Sequence, residues 1–113
     1  MALGWTYPDA VMQHAVPALE TVTIDIPALT ARRDRMLGSL EQWGYRLTNP
    51  EGTFYLWGAA PGGDAMRFAE KLAGQDVFVM PGTLFERPGD FRISLTASAE
   101  MIERSLPAFQ AAA

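Results

Sequence analysis

The chain has 113 residues, of which 49% are hydrophobic and 19% charged, and its formal net charge is −4. This length and composition predict a globular domain with its own core and argue against a disordered chain. The acidic balance argues against non-specific nucleic-acid binding, which needs a basic face to neutralise phosphates.

The same composition limits the chemistry of any site. The chain has no cysteine and one histidine, His14, so disulfides and zinc-thiolate sites are excluded, and no acidic cluster predicts another metal site. No apolar run reaches the length of a transmembrane span, and no signal-peptide pattern opens the chain. The sequence therefore predicts a cytoplasmic location and no membrane partner.

Two helical patterns occupy residues 6–44. Thr6 is placed to cap the first, whose apolar residues recur at helical spacing until Pro17 interrupts them. Asp25 caps the second, which ends at Gly44, and an extended connection lies between the two helices.

Three arginines, Arg32, Arg33 and Arg35, are clustered in the second helical pattern. Two interpretations are open at this point. The cluster is either a docking site for an anionic partner or a solvated helix face, and the solvated face is the commoner use of such a run of charges.

Four short strands are predicted in the remainder. Residues 45–47 and 54–57 flank an Asn-Pro-Glu-Gly stretch at 49–52, which has the type I turn signature, so these two strands are expected to form a hairpin. Residues 77–80 and 91–95 are the other two strands.

Two further helices separate and follow these strands. Asp64 caps one helix, which Gly74 ends, and Ser98 caps the last, while the three alanines at 111–113 are expected to be a frayed end. This order of elements predicts an α+β domain. Its small four-stranded sheet would be antiparallel or mixed, with helices packed on one face.

The last strand pattern contains the main candidate for a functional residue. Phe91, Ile93 and Leu95 fall on one face of this strand, and Arg92 and Ser94 fall on the other. An arginine is therefore directed away from the core, immediately after a compact loop rich in glycine and proline.

Arg92 has two possible roles by pattern alone. Its planar fork suits bidentate binding of a carboxylate. The alternative is a solvated arginine paired with Asp90 or Glu86, since surface ion pairs are common and weak. Because the helices cover one face only, Tyr55 or Trp57 is expected to share the uncovered face with Arg92.

Several motifs together resemble the C-terminal small domain of class I/II aminotransferases, which are pyridoxal-phosphate enzymes of fold type I. They are residues 52–57 (GTFYLW), 77–82 (VFVMPG), 91–95 (FRISL) and 100–104 (EMIER), with Phe85 and Gly89 between them. Each motif is short, and their order and spacing make the match specific. The resemblance implies that residues 25–113 are the small domain and that 1–24 are a helix and connection like the linker between domains.

The resemblance also assigns roles to residues. In the family, the arginine matching Arg92 binds the α-carboxylate of the substrate, and the loop matching Pro81, Gly82 and Phe85 lies near the substrate. Such an arginine would orient an amino acid over the cofactor. No catalytic or cofactor-binding residue of the family falls within this chain.

Pyridoxal phosphate, by the same resemblance, belongs to the large domain, which supplies the Schiff-base lysine and most phosphate contacts. The only lysine here, Lys71, falls between Phe68 and Leu72 on a helix whose apolar side these two residues define, and it is expected to face solvent. The implied function is amino-group transfer between an amino acid and a 2-oxo acid, with a large domain as partner. The isolated chain is expected to be inactive and not to bind the cofactor.

Two other hypotheses stay open on the sequence alone. One is a stand-alone binding domain, derived from the aminotransferase small domain, that covers its free sheet face by self-association. The other is a split enzyme whose large domain is a separate chain. Whether the chain acts as an enzyme at all is left open by its sequence.

Overall fold

Residues 9–113 are described by the structure, a computed structural model, and they form an α+β domain. The helices are α1 (Ala10–Leu19), α2 (Ile26–Gln42), α3 (Ala65–Ala73) and α4 (Ala99–Ala112). The strands are β1 (Leu47–Thr48), β2 (Tyr55–Ala59), β3 (Met80–Pro81) and β4 (Asp90–Ser94). Short 3-10 turns span Pro61–Gly63 and Gly82–Phe85.

The strands pair in the order β1-β2-β4-β3, and each pairing within the described residues is antiparallel. Strands β2 and β4 form the centre of the sheet, with Leu56 opposite Ile93 and Trp57 opposite Arg92. Because side chains alternate along a strand, these two pairs lie on different faces of the sheet. The predicted hairpin and α+β class are confirmed, and the sheet is antiparallel rather than mixed.

Helices α2, α3 and α4 pack on one face of this sheet. The core joins sheet and helix residues: Leu40, Leu56, Phe68, Leu72, Phe91, Ile93, Ile102 and Phe109. The alternation predicted for β4 is confirmed, since Phe91, Ile93 and Leu95 are all buried. The other face of the sheet carries Trp57, Met80 and Arg92 and is called the open face below.

The helices begin at side chains that accept a hydrogen bond from a backbone N–H three residues on. Asp25, Asp64 and Ser98 do this for α2, α3 and α4, as predicted. Helix α1 is capped by Asp9. The predicted cap, Thr6, lies outside the described residues.

Helix α1 differs from the others because none of its residues is buried. It continues through Pro17 to Leu19 rather than ending at the proline, which lies in the last turn and removes a single backbone donor there. Val11 is 75% exposed on this helix. None of the described helices is long and apolar enough to cross a membrane. The division into 1–24 and 25–113 stays a prediction.

The sequence predictions for the third strand and for the C-terminal end are wrong. The third strand is limited to Met80–Pro81, because the N–H of Val77 donates to the carbonyl of Leu72 and closes the end of α3 instead of pairing with β4. Phe78, expected in that strand, is 80% exposed. The predicted frayed end is also wrong, because Ala112 belongs to α4 and is buried.

The arginine cluster of α2 joins that helix to neighbouring elements. Arg33 donates to the carbonyl of Pro50 at 3.3 Å. Arg35 binds both carboxylate oxygens of Glu103 on α4, at 2.6 and 2.8 Å. This hydrogen bonding holds the pKa of the Glu103 carboxyl below its usual range and raises the pKa of Arg35. Arg33 and Arg35 are therefore hydrogen-bonded to other residues of this chain.

Tyr45 joins the start of the hairpin to the core. The sequence placed it in the first strand, but its backbone N–H instead donates to the carbonyl of Leu40, and its side chain is only 6% exposed. The phenol O–H donates to the carbonyl of Phe109 at 2.7 Å, and the ring lies 5.9 Å from that of Phe68. Burial raises the pKa of the Tyr45 phenol to about 12.

This burial predicts a loss of stability in alkali. An unfolded tyrosine ionises near pH 10, so between pH 10 and 12 the folded chain holds a proton that the unfolded chain has lost. The contribution of Tyr45 to the free energy of unfolding is therefore complete below pH 10 and falls as the pH rises towards 12. Urea denaturation at several pH values measures this slope.

The matched variant for this test is Tyr45→Phe, which keeps the ring and removes the titrating group. This substitution is expected to lower the free energy of unfolding by about 1 kcal/mol at pH 7, because the hydrogen bond to the Phe109 carbonyl is lost. Its stability should fall less steeply than that of the unsubstituted chain above pH 10. Equal slopes in the two proteins would contradict the assignment.

Candidate carboxylate-binding site

Arg92 lies in the middle of β4, on the open face. Its neighbours across the strands are Trp57 of β2 on one side and Met80 of β3 on the other. Its side chain is half-buried, between the buried Phe91 and Ile93 of the opposite face. A central position in a paired strand fixes the backbone of Arg92, so the guanidinium projects from a rigid base.

Two aromatic rings contact the Arg92 guanidinium. Its Cζ lies 4.0 Å from the centroid of the Tyr55 ring and 4.8 Å from that of Phe85. Tyr55 is opposite Ser94 in the register, so it reaches Arg92 diagonally across the two strands. Trp57 meets Phe85 edge-on, with centroids 5.4 Å apart. Both distances from Cζ are within the range of cation–π attraction.

Within residues 9–113, the side chain of Arg92 makes no hydrogen bond or ion pair with the protein, although its backbone is paired in the sheet. The alternative of a pair with Asp90 is not realised, because Asp90 instead binds Arg87. Glu86 is exposed and ends the 3-10 turn in a left-handed conformation, with φ of 59°. The ring contacts use the charge of the guanidinium but none of its five N–H donors as conventional hydrogen bonds. These donors are therefore available to a ligand.

The loop before β4 brings Phe85 to Arg92. Gly82 is buried, and a Cβ atom on it would lie 2.2 Å from the carbonyl oxygen of Arg87 and 2.6 Å from that of Asp90. The N–H of Arg87 in turn donates to the carbonyl of Gly82 at 2.9 Å. The loop can close this tightly only with glycine at position 82. Phe85 stands over Arg92 as a consequence.

The residues predicted near the substrate therefore differ in what they contribute. Phe85 contacts Arg92 directly. Pro81 pairs with Phe91 in the sheet, and Gly82 has no side chain and packs under the loop. Of the two aromatic candidates on β2, Tyr55 is the one whose ring contacts the guanidinium of Arg92. Its diagonal contact could be expected from strand alternation, whereas the contact of Phe85 depends on how the loop folds back.

The described residues do not fit pyridoxal phosphate. Its attachment requires a lysine in a desolvated or electropositive pocket, and Lys71 is exposed on α3, as expected. Nor do any three histidine or carboxylate side chains between residues 9 and 113 lie together in a way that could hold a metal ion. The arrangement supports anion binding at Arg92 rather than covalent chemistry.

Comparison with known proteins identifies the family. A family model described as aminotransferase class I and II matches residues 9–109. The chain therefore belongs to the class I and II aminotransferase family, and the resemblance stated from the motifs is confirmed.

Particular relatives show how much of an aminotransferase the chain represents. It is 46% identical over 69 residues to LL-diaminopimelate aminotransferase of Desulforudis audaxviator, a match that covers 58% of this chain and 18% of that protein. It is 34% identical over 116 residues to aspartate/prephenate aminotransferase of Thermus thermophilus, covering 92% of this chain and 30% of that protein.

Solved structures agree with the sequence comparison. An amino transferase from Eubacterium rectale superposes with a TM-score of 0.86 and 34% identity, covering 97% of this chain and 28% of that one. A Thermus thermophilus aspartate aminotransferase mutant complexed with tryptophan gives a TM-score of 0.83 and 31% identity, covering 96% and 31%. The chain thus spans less than a third of the length of these relatives.

Proposed function

We propose that this chain is the small-domain part of a class I/II aminotransferase and that Arg92 binds the α-carboxylate of its substrate. The substrates of the whole enzyme would be an amino acid and a 2-oxo acid. Pyridoxal phosphate, bound by the large domain, would supply the electron sink for the transfer. The contribution of this chain is to bind and orient the carboxylate, and the chain alone is expected to be inactive.

The observation that carries the proposal is the unpaired guanidinium of Arg92. A half-buried arginine normally finds a hydrogen-bonded partner, because an unsatisfied donor away from water costs free energy. The nearest carboxylate on its own strand, Asp90, is occupied by Arg87. An incoming carboxylate would complete the hydrogen bonding of Arg92, and two parallel N–H···O bonds would fix its orientation as well as its position.

Orientation is the useful part of this contact for transamination. The Cα–H bond to be broken must be held in one direction relative to the cofactor, and a carboxylate clamped at two points cannot rotate freely. Arg92 belongs to β4, the second strand from one edge of the sheet, and its backbone is paired on both sides. The clamp is therefore attached to a part of the fold that moves little.

The proposal predicts that the purified chain binds 2-oxoglutarate weakly through Arg92. In an NMR titration, the indole N–H of Trp57, which lies opposite Arg92, should shift with added 2-oxoglutarate and approach saturation in the millimolar range. Arg92→Gln is expected to weaken this binding at least about tenfold, because the charged hydrogen bonds to the carboxylate are lost.

The control variant is Arg46→Gln, which removes the same charge from an exposed arginine immediately before β1. It should leave the titration unchanged, since long-range attraction by an exposed charge is weak in salt. A titration that is insensitive to Arg92→Gln, or that responds equally to both substitutions, would overturn the proposal.

A further inference from the structure

The Arg92 guanidinium is held by rings from two different elements. Tyr55 comes from β2, at 4.0 Å from Cζ, and Phe85 comes from the 3-10 turn before β4, at 4.8 Å. The edge-on contact with Trp57 in turn supports Phe85. A long side chain on a sheet surface would otherwise sample several rotamers, because nothing else in the described chain hydrogen-bonds to its head.

We propose that Tyr55 and Phe85 are positioning residues that hold the guanidinium of Arg92 in one orientation before a carboxylate arrives. This inference rests on the proposed function of Arg92. Its physical basis is the attraction between the cation and the two π-systems, which restrains the guanidinium carbon without using its hydrogen-bond donors. A carboxylate then binds a fork that is already ordered, so the entropy of ordering it is not subtracted from the affinity.

The tyrosine hydroxyl has no part in this role. Within the described residues the Tyr55 O–H makes no hydrogen bond, whereas the ring contacts the guanidinium, so the ring is assigned the positioning role. Tyr55→Phe should therefore behave like the unsubstituted chain. Tyr55→Leu keeps apolar bulk on the open face but removes the π-system, and because Tyr55 lies outside the core, the fold should survive this change.

The test measures order and affinity separately on the purified chain. Side-chain NMR relaxation at Nε of Arg92 reports how tightly the guanidinium is held. Titration with 2-oxoglutarate, followed at the Trp57 indole N–H, reports binding. Tyr55→Leu is expected to lower the order parameter of Arg92 and to weaken binding by about three- to tenfold, whereas Tyr55→Phe changes neither. Phe85→Leu, from the other element, should have the same effects to a smaller degree.

The outcomes distinguish this inference from the proposed function. If the chain binds 2-oxoglutarate through Arg92 and Tyr55→Leu changes neither order nor affinity, the positioning role is wrong and the proposed function stands. If Tyr55→Leu loosens Arg92 but the unsubstituted chain does not bind 2-oxoglutarate, the proposed function fails, together with the carboxylate part of this inference. A loss of affinity in Tyr55→Phe equal to that in Tyr55→Leu would assign the effect to the hydroxyl and overturn the inference.

Discussion

Phe91→Ala is expected to lower the free energy of unfolding by about 3–5 kcal/mol, a large part of the total stability of a domain of this size. Phe91 has no exposed surface, and its ring lies 4.7 Å from that of Phe68 and 6.1 Å from that of Tyr45. It also faces Gly58 across the strands. Removing the ring would leave a cavity between the sheet and the helices that these neighbours cannot fill.

The matched control is Phe78→Ala, because Phe78 is the same residue type at 80% exposure. Removing the Phe78 ring should change the free energy of unfolding by no more than about 0.5 kcal/mol. Urea denaturation followed by circular dichroism measures both variants. A similar loss of stability in the two would contradict the assignment of Phe91 to the core and of Phe78 to an exposed position.

Gly82→Ala is expected to have the second largest effect on stability, lowering the free energy of unfolding by about 3 kcal/mol. It should also change the surroundings of the Arg92 side chain. The added Cβ would lie 2.2 and 2.6 Å from two backbone carbonyl oxygens, which cannot move aside as a flexible side chain can. The loop must then open, and Phe85 leaves the guanidinium. We expect the NMR signals of the Arg92 side chain to shift, since it loses the ring current of Phe85.

Gly38→Ala provides the opposite case in the same chain. Gly38 lies within α2 with nothing within 4 Å of an added Cβ, so alanine there should stabilise the protein by about 0.5–1 kcal/mol through helix propensity. The signals of Arg92 should not change. If Gly82→Ala did not lower the free energy of unfolding, the close approach of the loop backbone to Gly82 would be contradicted.

Local signals predicted the features of this fold that depend on neighbours in the chain. The caps Asp25, Asp64 and Ser98 each act on a backbone N–H three residues away, so their pattern is complete within one turn. The hairpin was predicted from a turn signature at 49–52, and in the structure residues 49–54 join its two strands. The alternation of β4 predicted its buried face and placed Arg92 on the other face.

The predictions from sequence were wrong where a residue's hydrogen-bond partner is distant in the sequence. They were also wrong where a backbone N–H already donates to a neighbouring helix. An apolar run at 77–80 is typical of a buried strand, but Val77 bonds back to α3 and only Met80–Pro81 reach β4. Tyr45 has the composition of a strand residue, yet its partner is the carbonyl of Phe109, 64 residues away. No local pattern reports such a bond.

The sequence by itself determined the α+β class, the starts of α2, α3 and α4, the family and the residue from which a carboxylate site is proposed. These follow from periodicity, from turn chemistry and from the order of short motifs. Only the tertiary structure decided that Asp90 pairs with Arg87 and leaves Arg92 unpaired, and that Tyr55 and Phe85 meet on its guanidinium. The physical reason is that the Tyr55 contact depends on the register of β2 with β4, and that the Phe85 contact and the Arg87–Asp90 pair depend on how the loop over Gly82 closes. Both the register and the closure are set by packing in three dimensions.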